Sequence, residues 1–258
     1  MSARRPEGPR GGRTDREGMD VEDKQTEETW VIVAAAGESL RMGLPDGESK
    51  QFLLLGGEPI LSHSVRRLLA MSTVDGIVVV LHPSHTVRFA NELVAFDDTK
   101  PLLIAEGGRK RSDSVRAGLL EVPESASVIA VHDGARPLFS RHVFEACLGA
   151  LGRADGAVPA VEVSDTLKRG GKDRAVLGTV DRAGLWSAQT PQVFRAAALR
   201  DVYARTDLNG ATDDAMLLER AGYKVELVTS TPANVKITTP ADIPLAGALL
   251  SWEVETDV

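Results

Sequence analysis

The sequence predicts a mainly parallel, three-layer α/β fold. Short β-branched runs, bounded by glycine, proline or charge, recur along the chain. Their apolarity is continuous rather than alternating, which marks strands covered on both faces. Amphipathic helical stretches separate them, and repeated β–α alternation implies helices on both faces joined by right-handed crossovers.

In chain order, residues 1–29 come first and differ from the rest. They carry six basic and eight acidic residues, four apolar ones and no aromatic. Such a segment cannot bury enough surface to offset its ordering entropy, so it reads as a disordered N-terminal tail, within which Met19 is an alternative start. Strands are predicted at Trp30–Ala34, Gly76–Leu81, Leu102–Ala105, Ser127–Val131, Gly156–Val161 and Lys224–Val228. Helices are predicted at Ile60–Met71, Val87–Ala95, Ser112–Leu120, Arg141–Leu151, Ala196–Arg205 and Thr212–Ala221, where apolar residues keep to one stripe. Thr239-Pro240-Ala241-Asp242 announces a last helix with an N-cap, a proline at N1 and an acid in the first turn. Val163–Val180 breaks this rhythm. Thr166–Lys168 and Ala175–Thr179 flank Arg169-Gly170-Gly171-Lys172-Asp173, a hairpin turn too polar for the core. An isolated hairpin is marginal in water, so this one is expected to project and pack on a second copy of the chain.

Composition removes several function classes. The longest apolar run, Trp30–Ala36, is seven residues, far short of the roughly 20 that span a membrane. A single cysteine, Cys147, excludes an internal disulfide framework and a cysteine-rich zinc site, and reads as a small core residue. No apolar stretch follows the N-terminal arginines, so no secretory signal is expected and a cytoplasmic protein is. A net charge of −7 argues against binding nucleic acid or anionic membranes, but not against a small anion held by a few cations.

Four segments could carry chemistry. The first strand runs into Ala35-Ala36-Gly37-Glu38-Ser39-Leu40-Arg41-Met42-Gly43, with Lys50-Gln51 shortly after. Small residues beyond a strand's carboxyl end let backbone N–H groups approach phosphate oxygens, and two cations there could neutralise a triphosphate. A tight βα turn with surface cations is the plainer reading, since neither the P-loop nor the dinucleotide fingerprint is present. His132-Asp133-Gly134-Ala135-Arg136-Pro137 puts an Asp and an Arg three apart, which suits a ribose hydroxyl, a metal or a substrate phosphate, or a local pair closing a turn. Asp181-Arg182-Ala183-Gly184-Leu185-Trp186 leads into Gln189-Thr190-Pro191-Gln192. In Asn234-Val235-Lys236-Ile237-Thr238 the lysine sits amid apolar residues, where a strand lysine is more often an edge charge than a catalytic one. The five histidines show no metal-ligand pattern, with His82 and His85 flanking a turn. Asp213-Asp214 suit a helix dipole after Thr212 better than a metal.

Together these segments resemble the 2-C-methyl-D-erythritol 4-phosphate cytidylyltransferase family. The markers are A-A-G-x-x-x-R-M at 35–42, S-K-Q at 49–51, G-G at 107–108 with D-S-V at 113–115, H-D-G-A-R-P at 132–137, D-T-L-K at 165–168, D-R-A-G-L-W at 181–186, T-P-Q at 190–192 and N-V-K-I-T at 234–238, all in family order. The resemblance implies a Rossmann-like nucleotidyltransferase domain over residues 30–252, with a projecting β-hairpin arm at about 163–182 that reaches into a partner subunit of a homodimer. It implies transfer of a cytidylyl group from CTP to 2-C-methyl-D-erythritol 4-phosphate, giving 4-diphosphocytidyl-2-C-methyl-D-erythritol and pyrophosphate in isoprenoid precursor synthesis, with Mg2+ bridging the triphosphate and no protein metal ligand. Arg41 and Lys50 would stabilise the transition state, and Arg182 and Lys236 would aim the attacking oxygen. Backbone at Ala35, Ala36, Gly37 and Ser39 would cradle the phosphates. Gly107, Gly108 and Ser114 would read the cytosine and Asp133 the ribose. Asp133, Arg136, Thr166, Arg182, Thr190 and Lys236 would hold the acceptor. Because the nucleophile is already a phosphate anion, the implied chemistry needs positioning and positive charge rather than a nucleophilic side chain.

Three positions depart from the family pattern. Ser39 stands where a second glycine is usual, the Arg41-to-Lys50 stretch with Pro45-Asp46-Gly47 is slightly long, and Arg109-Lys110-Arg111 is unusually basic. A cytidylyltransferase for another polyol phosphate, such as ribitol 5-phosphate, and a catalytically inactive nucleotide-binding homologue are the competing expectations.

Overall fold

The structure, a computed structural model, describes Met1 and residues 27–37, 39–45, 47–93, 96, 100–205 and 207–256. The predicted tail falls largely outside the described residues, as do Glu38, Asp46 and the last two residues of the predicted 87–95 helix.

The elements run β1 (Thr29–Ala34), β2 (Leu54–Leu55), β3 (Glu58–Pro59), α1 (Ile60–Leu69), β4 (Gly76–Leu81), α2 (Thr86–Leu93), β5 (Leu102–Glu106), α3 (Arg111–Glu121), β6 (Val128–Asp133), α4 (Arg141–Ala150), β7 (Gly156–Glu162), β8 (Leu167–Gly170), β9 (Val176–Val180), β10 (Trp186–Ala188), β11 (Gln192–Arg195), α5 (Ala196–Arg205), α6 (Ala215–Arg220), β12 (Val225–Thr229) and α7 (Asp242–Thr256). β5, β4, β1 and β6 are parallel neighbours in that order, with Ile32 opposite Val78 on one side and Val131 on the other. β11 runs antiparallel between β6 and β7, β10 follows it along the same side of β7, and β12 pairs parallel on β7's far side. The sheet is therefore mainly parallel with one reversed ribbon.

Both faces of the sheet are covered, as the unbroken apolar runs imply. Val31, Val33, Val79 and Leu81 pack with Leu61, Val65 and Leu68 of α1, Phe89 of α2, and Phe144 and Cys147 of α4. The alternate residues Ile32, Val78, Val80 and Val131 pack with Val115 and Leu119 of α3 and with α5 and α6. Cys147 is fully buried in the first layer, and burial pushes its thiol pKa up to about 12. Gly118 of α3 must be glycine, because a Cβ there would stand 2.6 Å from the Ile32 side chain. A third cluster, of Leu55, Ile60, Leu138, Ile237 and Ala246, seats α7 against the end of the sheet. No helix among the described residues is long and apolar enough to cross a membrane.

Several sequence expectations shift. β1 begins at Thr29, and Glu27 and Glu28 already bond Arg195 and the Trp30 indole. β10 and β11 occupy the stretch read only as motif, because their paired edges are short and polar enough to hide the period. The 234–238 segment pairs in no sheet among the described residues, so Lys236 is not a strand-edge charge. Thr212 does not cap α6; the N-cap position is Asp214, and the Asp213 carboxylate accepts the Met216 N–H at 3.0 Å. At α7 the Asp242 carboxylate reaches back to the N–H groups of Thr239 (2.7 Å) and Thr238 (2.8 Å), in the manner of a capping box. β8 and β9 pair only with each other, in a hairpin that leaves Val176 and Leu177 about two-thirds exposed.

Candidate active site

The end of β1 opens into a cleft held by close backbone approach. The Ala35 N–H continues the sheet by donating to the Val80 carbonyl at 2.8 Å, Ala36 is buried and Gly37 emerges exposed. Across from them, Gly107 donates its N–H to the Leu81 carbonyl at 2.7 Å. A Cβ on Gly107 would lie 2.2 Å from the Ala36 Cβ and 2.8 Å from the Ser114 hydroxyl. One on Gly108 would lie 2.4 Å from the Asp113 Cβ, whose carboxylate accepts the Lys110 N–H at the start of α3. Glycine is thus required at both positions by contact rather than by φ. The cleft so formed, about 190 Å³, is lined by Ala36, Gly37, Arg41, Lys50, Gly108 to Arg111, Ser114, Asp133 and Lys236. A second depression of about 360 Å³ lies on the other side of the Ala36–Gly37 ridge, between Ser39, Glu48 and the His82–His85 turn. There His85 is buried with its ring against Phe52, so only His82 flanks an exposed turn as expected.

Asp133, the last residue of β6, is the one carboxylate lining the cleft among the described residues. Lys236 Nζ lies 2.8 Å from Oδ2, Arg136 Nε 3.4 Å from the same oxygen and Arg111 Nε 3.5 Å from Oδ1. Burial alone would raise its pKa, but Arg111 and Lys236, then Arg136, outweigh this and hold it well below the usual carboxylate range. The Asp133–Arg136 turn pair considered from sequence is present, and it sits within this larger cluster. Beneath it, the Asp133 N–H donates to the Thr190 hydroxyl at 3.0 Å, and that oxygen lies 3.1 Å from His132 Nδ1. His132 Nε2 faces the Arg136 carbonyl, which can only accept, so the proton sits on Nε2 and Thr190 donates to Nδ1. Burial drops the His132 pKa to about 3 and keeps the ring neutral.

The 234–238 segment is pinned on three sides. Asn234 Nδ2 donates to the Thr190 carbonyl at 2.9 Å and to Gln189 Oε1 at 3.1 Å. The Arg136 guanidinium donates to the Asn234 carbonyl at 2.7 Å, and the Ile237 N–H to the Ala135 carbonyl at 2.9 Å. The Ile237 carbonyl in turn accepts Lys50 Nζ at 2.7 Å. Lys50 is placed from its other end by Ser39, whose hydroxyl accepts the Lys50 N–H at 2.9 Å. The serine that departs from the family's glycine thus ties the small-residue loop to the cation-bearing turn. Burial, then repulsion from Lys236, lowers the Lys50 pKa to about 8; Asp133 opposes this and Arg41 adds to it.

Most of the site residues expected from sequence converge here: Ala36, Gly37, Arg41, Lys50, Gly108, Ser114, Asp133 and Lys236 on the wall, with Ala35, Ser39, Gly107, Arg136 and Thr190 engaged behind it. Ser114 is buried and its hydroxyl donates to the Lys110 carbonyl at 3.3 Å. Thr166 and Arg182 are exposed and line no part of this cleft; Arg182 borders a separate recess at the base of the arm with Ser164, Leu185 and Trp186. Three residues were not singled out from sequence. Arg111 read only as part of a basic run, Asp214 as a helix-dipole acid and Tyr203 only as a position within the 196–205 helix, yet Arg111 Nη1 donates to Asp214 Oδ2 at 2.7 Å and the Tyr203 hydroxyl to Asp214 Oδ1 at 2.6 Å. The separation of Arg111 and Asp214 by 103 positions leaves no local sequence signal.

The donor set fits no protein-held metal. Among the described residues no group of three His, Cys, Asp or Glu side chains could hold an ion, and Asp133 is already claimed by three cations.

A mainly parallel sheet, a small-residue loop past its carboxyl edge and a ring of fixed cations around it together define a nucleotidyltransferase fold. The family model described as 2-C-methyl-D-erythritol 4-phosphate cytidylyltransferase matches residues 29–252. The chain belongs to that family. The 2-C-methyl-D-erythritol 4-phosphate cytidylyltransferase of Symbiobacterium thermophilum is 42% identical over 225 residues, spanning 86% of this chain and 93% of that one. The bifunctional enzyme IspD/IspF of Desulfotalea psychrophila is 39% identical over 225 residues, 87% of this chain but only 57% of that protein. The crystal structure of 4-diphosphocytidyl-2C-methyl-D-erythritol synthase from Anaerococcus prevotii superposes with a TM-score of 0.76 at 26% identity, covering 88% of this chain and 97% of that one.

Proposed function

We propose that this protein transfers the cytidylyl group of CTP to 2-C-methyl-D-erythritol 4-phosphate. A phosphate oxygen of the acceptor bonds to the α-phosphorus of CTP, the bond from that phosphorus to the bridging β-oxygen breaks, and pyrophosphate leaves. The observation that carries this reading is the convergence of Arg41, Lys50 and Lys236 on one small cleft with an open backbone loop, since two polyanions meet only where fixed positive charge offsets their repulsion. Arg41 and Lys50 face the triphosphate and its transition state. The Ala35–Ser39 backbone cradles the phosphates, Gly107, Gly108 and Ser114 meet the cytosine, and Asp133 the ribose. Arg136 and Lys236 serve the acceptor phosphate, and Thr190 holds the backbone of Asp133. Mg2+ belongs to the CTP triphosphate as part of the substrate.

Thr166 and Arg182 reach a site only if the arm crosses to a second copy of the chain, and the exposed Val176 and Leu177 are suited to that contact. The active form is then a homodimer with shared sites, acting in the cytoplasm without nucleic acid or membrane. Incubation with CTP and either 2-C-methyl-D-erythritol 4-phosphate or ribitol 5-phosphate, with pyrophosphate followed by a coupled assay, tests the reading. Turnover with the methylerythritol acceptor is expected, and a preference for ribitol 5-phosphate or no pyrophosphate from either would overturn it.

A further inference from the structure

Asp133 carries more cations than it can hold at short range, and its Lys236 contact is the shortest of the three. For Lys236 to turn toward an acceptor phosphate it must give up part of that contact. How readily it does so depends on how well the other cations satisfy the carboxylate. Arg136 competes for the same oxygen, while Arg111 alone faces Oδ1. Arg111 is itself restrained. At the start of α3, its Nη1 is drawn onto Asp214 just before α6, and Asp214 is almost wholly buried and fixed by the Tyr203 hydroxyl from α5. Arg111 Nη2 is buried and finds no hydrogen-bond partner among the described residues. A largely buried guanidinium with an unused donor is a costly way to fill space, where an apolar residue of similar volume is commonly no less stable. Its placement answers a demand of the site.

We infer that Tyr203, Asp214 and Arg111 form a buried positioning relay that sets how tightly Asp133 holds Lys236, and so how easily Lys236 engages the acceptor phosphate; this rests on the acceptor role proposed above for Lys236. Arg111 satisfies Oδ1 and weakens Asp133's hold on Lys236. Without it, Asp133 keeps Lys236 for itself and the cleft loses one positive charge. Tyr203 acts in the same direction at one remove: lacking its O–H donor, Asp214 draws Arg111 away from Asp133.

The test compares Tyr203→Phe, Arg111→Lys and the double variant Arg111→Met/Asp214→Asn, which removes both charges and so leaves no buried ion unpaired. Two readouts are taken: KM for 2-C-methyl-D-erythritol 4-phosphate and for CTP, and the Kd for inorganic phosphate by calorimetry, which needs no turnover and so stands even if the acceptor assignment fails. A Lys236→Ala control identifies the phosphate signal that depends on Lys236. Loss of the relay in the double variant should raise the acceptor KM and the Lys236-dependent phosphate Kd by about tenfold, and the CTP KM by clearly less, since the lost charge also borders the cleft. Tyr203→Phe should show about a threefold effect of the same kind, and Arg111→Lys partial recovery. Unchanged phosphate affinity in folded Tyr203→Phe and double variants would overturn the relay, as would a CTP KM that rises as much as the acceptor's.

Discussion

The sharpest consequence of the cleft is an alkaline limit on CTP capture. Lys50 is held between the Ile237 carbonyl, 2.7 Å from Nζ, and the cations Lys236 and Arg41. Burial first and Lys236 second bring its pKa from 10.5 to about 8. Above that value the free enzyme progressively loses the charge that the proposed function sets against the triphosphate. If the neutral amine contributes nothing, kcat/KM for CTP should fall about tenfold per pH unit above about 8. Saturating CTP should protect kcat, because the tetra-anion returns the proton to Lys50. Lys50→Arg keeps its charge throughout this range and should flatten the alkaline limb at a lower plateau. The same shift works in the opposite sense on stability. Because the folded-state pKa lies below the unfolded one, the cost of the buried ammonium is fully present below about pH 8. It fades as pH rises toward 10.5, where the unfolded chain also loses the proton. Lys50→Met should therefore be inactive yet more stable at neutral pH, by about 1 kcal/mol after discounting for solvent that reaches the ammonium, with the advantage vanishing at high pH. A kcat/KM profile flat to about pH 9.5, or one alkaline limb shared by wild type and Lys50→Arg, would refute this account of the charge.

Two further outcomes follow from packing. Gly107→Ala places a methyl 2.2 Å from the Ala36 Cβ and should push the small-residue loop outward, raising CTP KM by at least about tenfold while kcat on saturating CTP falls less, measured by steady-state kinetics. Val176→Lys with Leu177→Asp should leave the melting temperature of the chain within a few degrees, because both side chains are exposed, but shift the sedimentation coefficient toward the monomer and lower activity at low protein concentration. Activity independent of dilution in that variant would detach the arm from the site.

The fold was legible wherever strands are covered on both sides. β1, β4 and β6 announce themselves as unbroken apolar runs because each residue meets a helix layer, and Gly76–Leu81 matches to the residue. β10 and β11 were not, since Gln189, Thr190 and Gln192 use buried polar side chains to stitch loops together, and such residues imitate a turn. The cleft was legible as loop, cations and carboxylate because the loop and Asp133 sit at the carboxyl ends of β1 and β6, and Arg41, Lys50 and Lys236 belong to recognisable motifs. The Arg111–Asp214–Tyr203 chain was not. Its members are brought together only by α3, α5 and α6 packing on one face, and a buried arginine is indistinguishable in sequence from a solvated one in a basic run. Thr166 and Arg182 mark the other boundary: their motifs were evident, but a single chain leaves them outside the cleft.

The reversed ribbon in the sheet has a mechanical consequence. The chain leaves the sheet at the end of β7, forms the arm, and returns through β10 directly into the Thr190 loop that holds the Asp133 backbone. The arm is therefore no pendant that could be trimmed without notice, but the outer part of one continuous span whose inner end is fastened under the carboxylate. If two copies clasp through the arm as proposed, tension or slack applied there would be delivered within a few residues to the cleft floor beneath Asp133, which would give assembly a direct grip on chemistry.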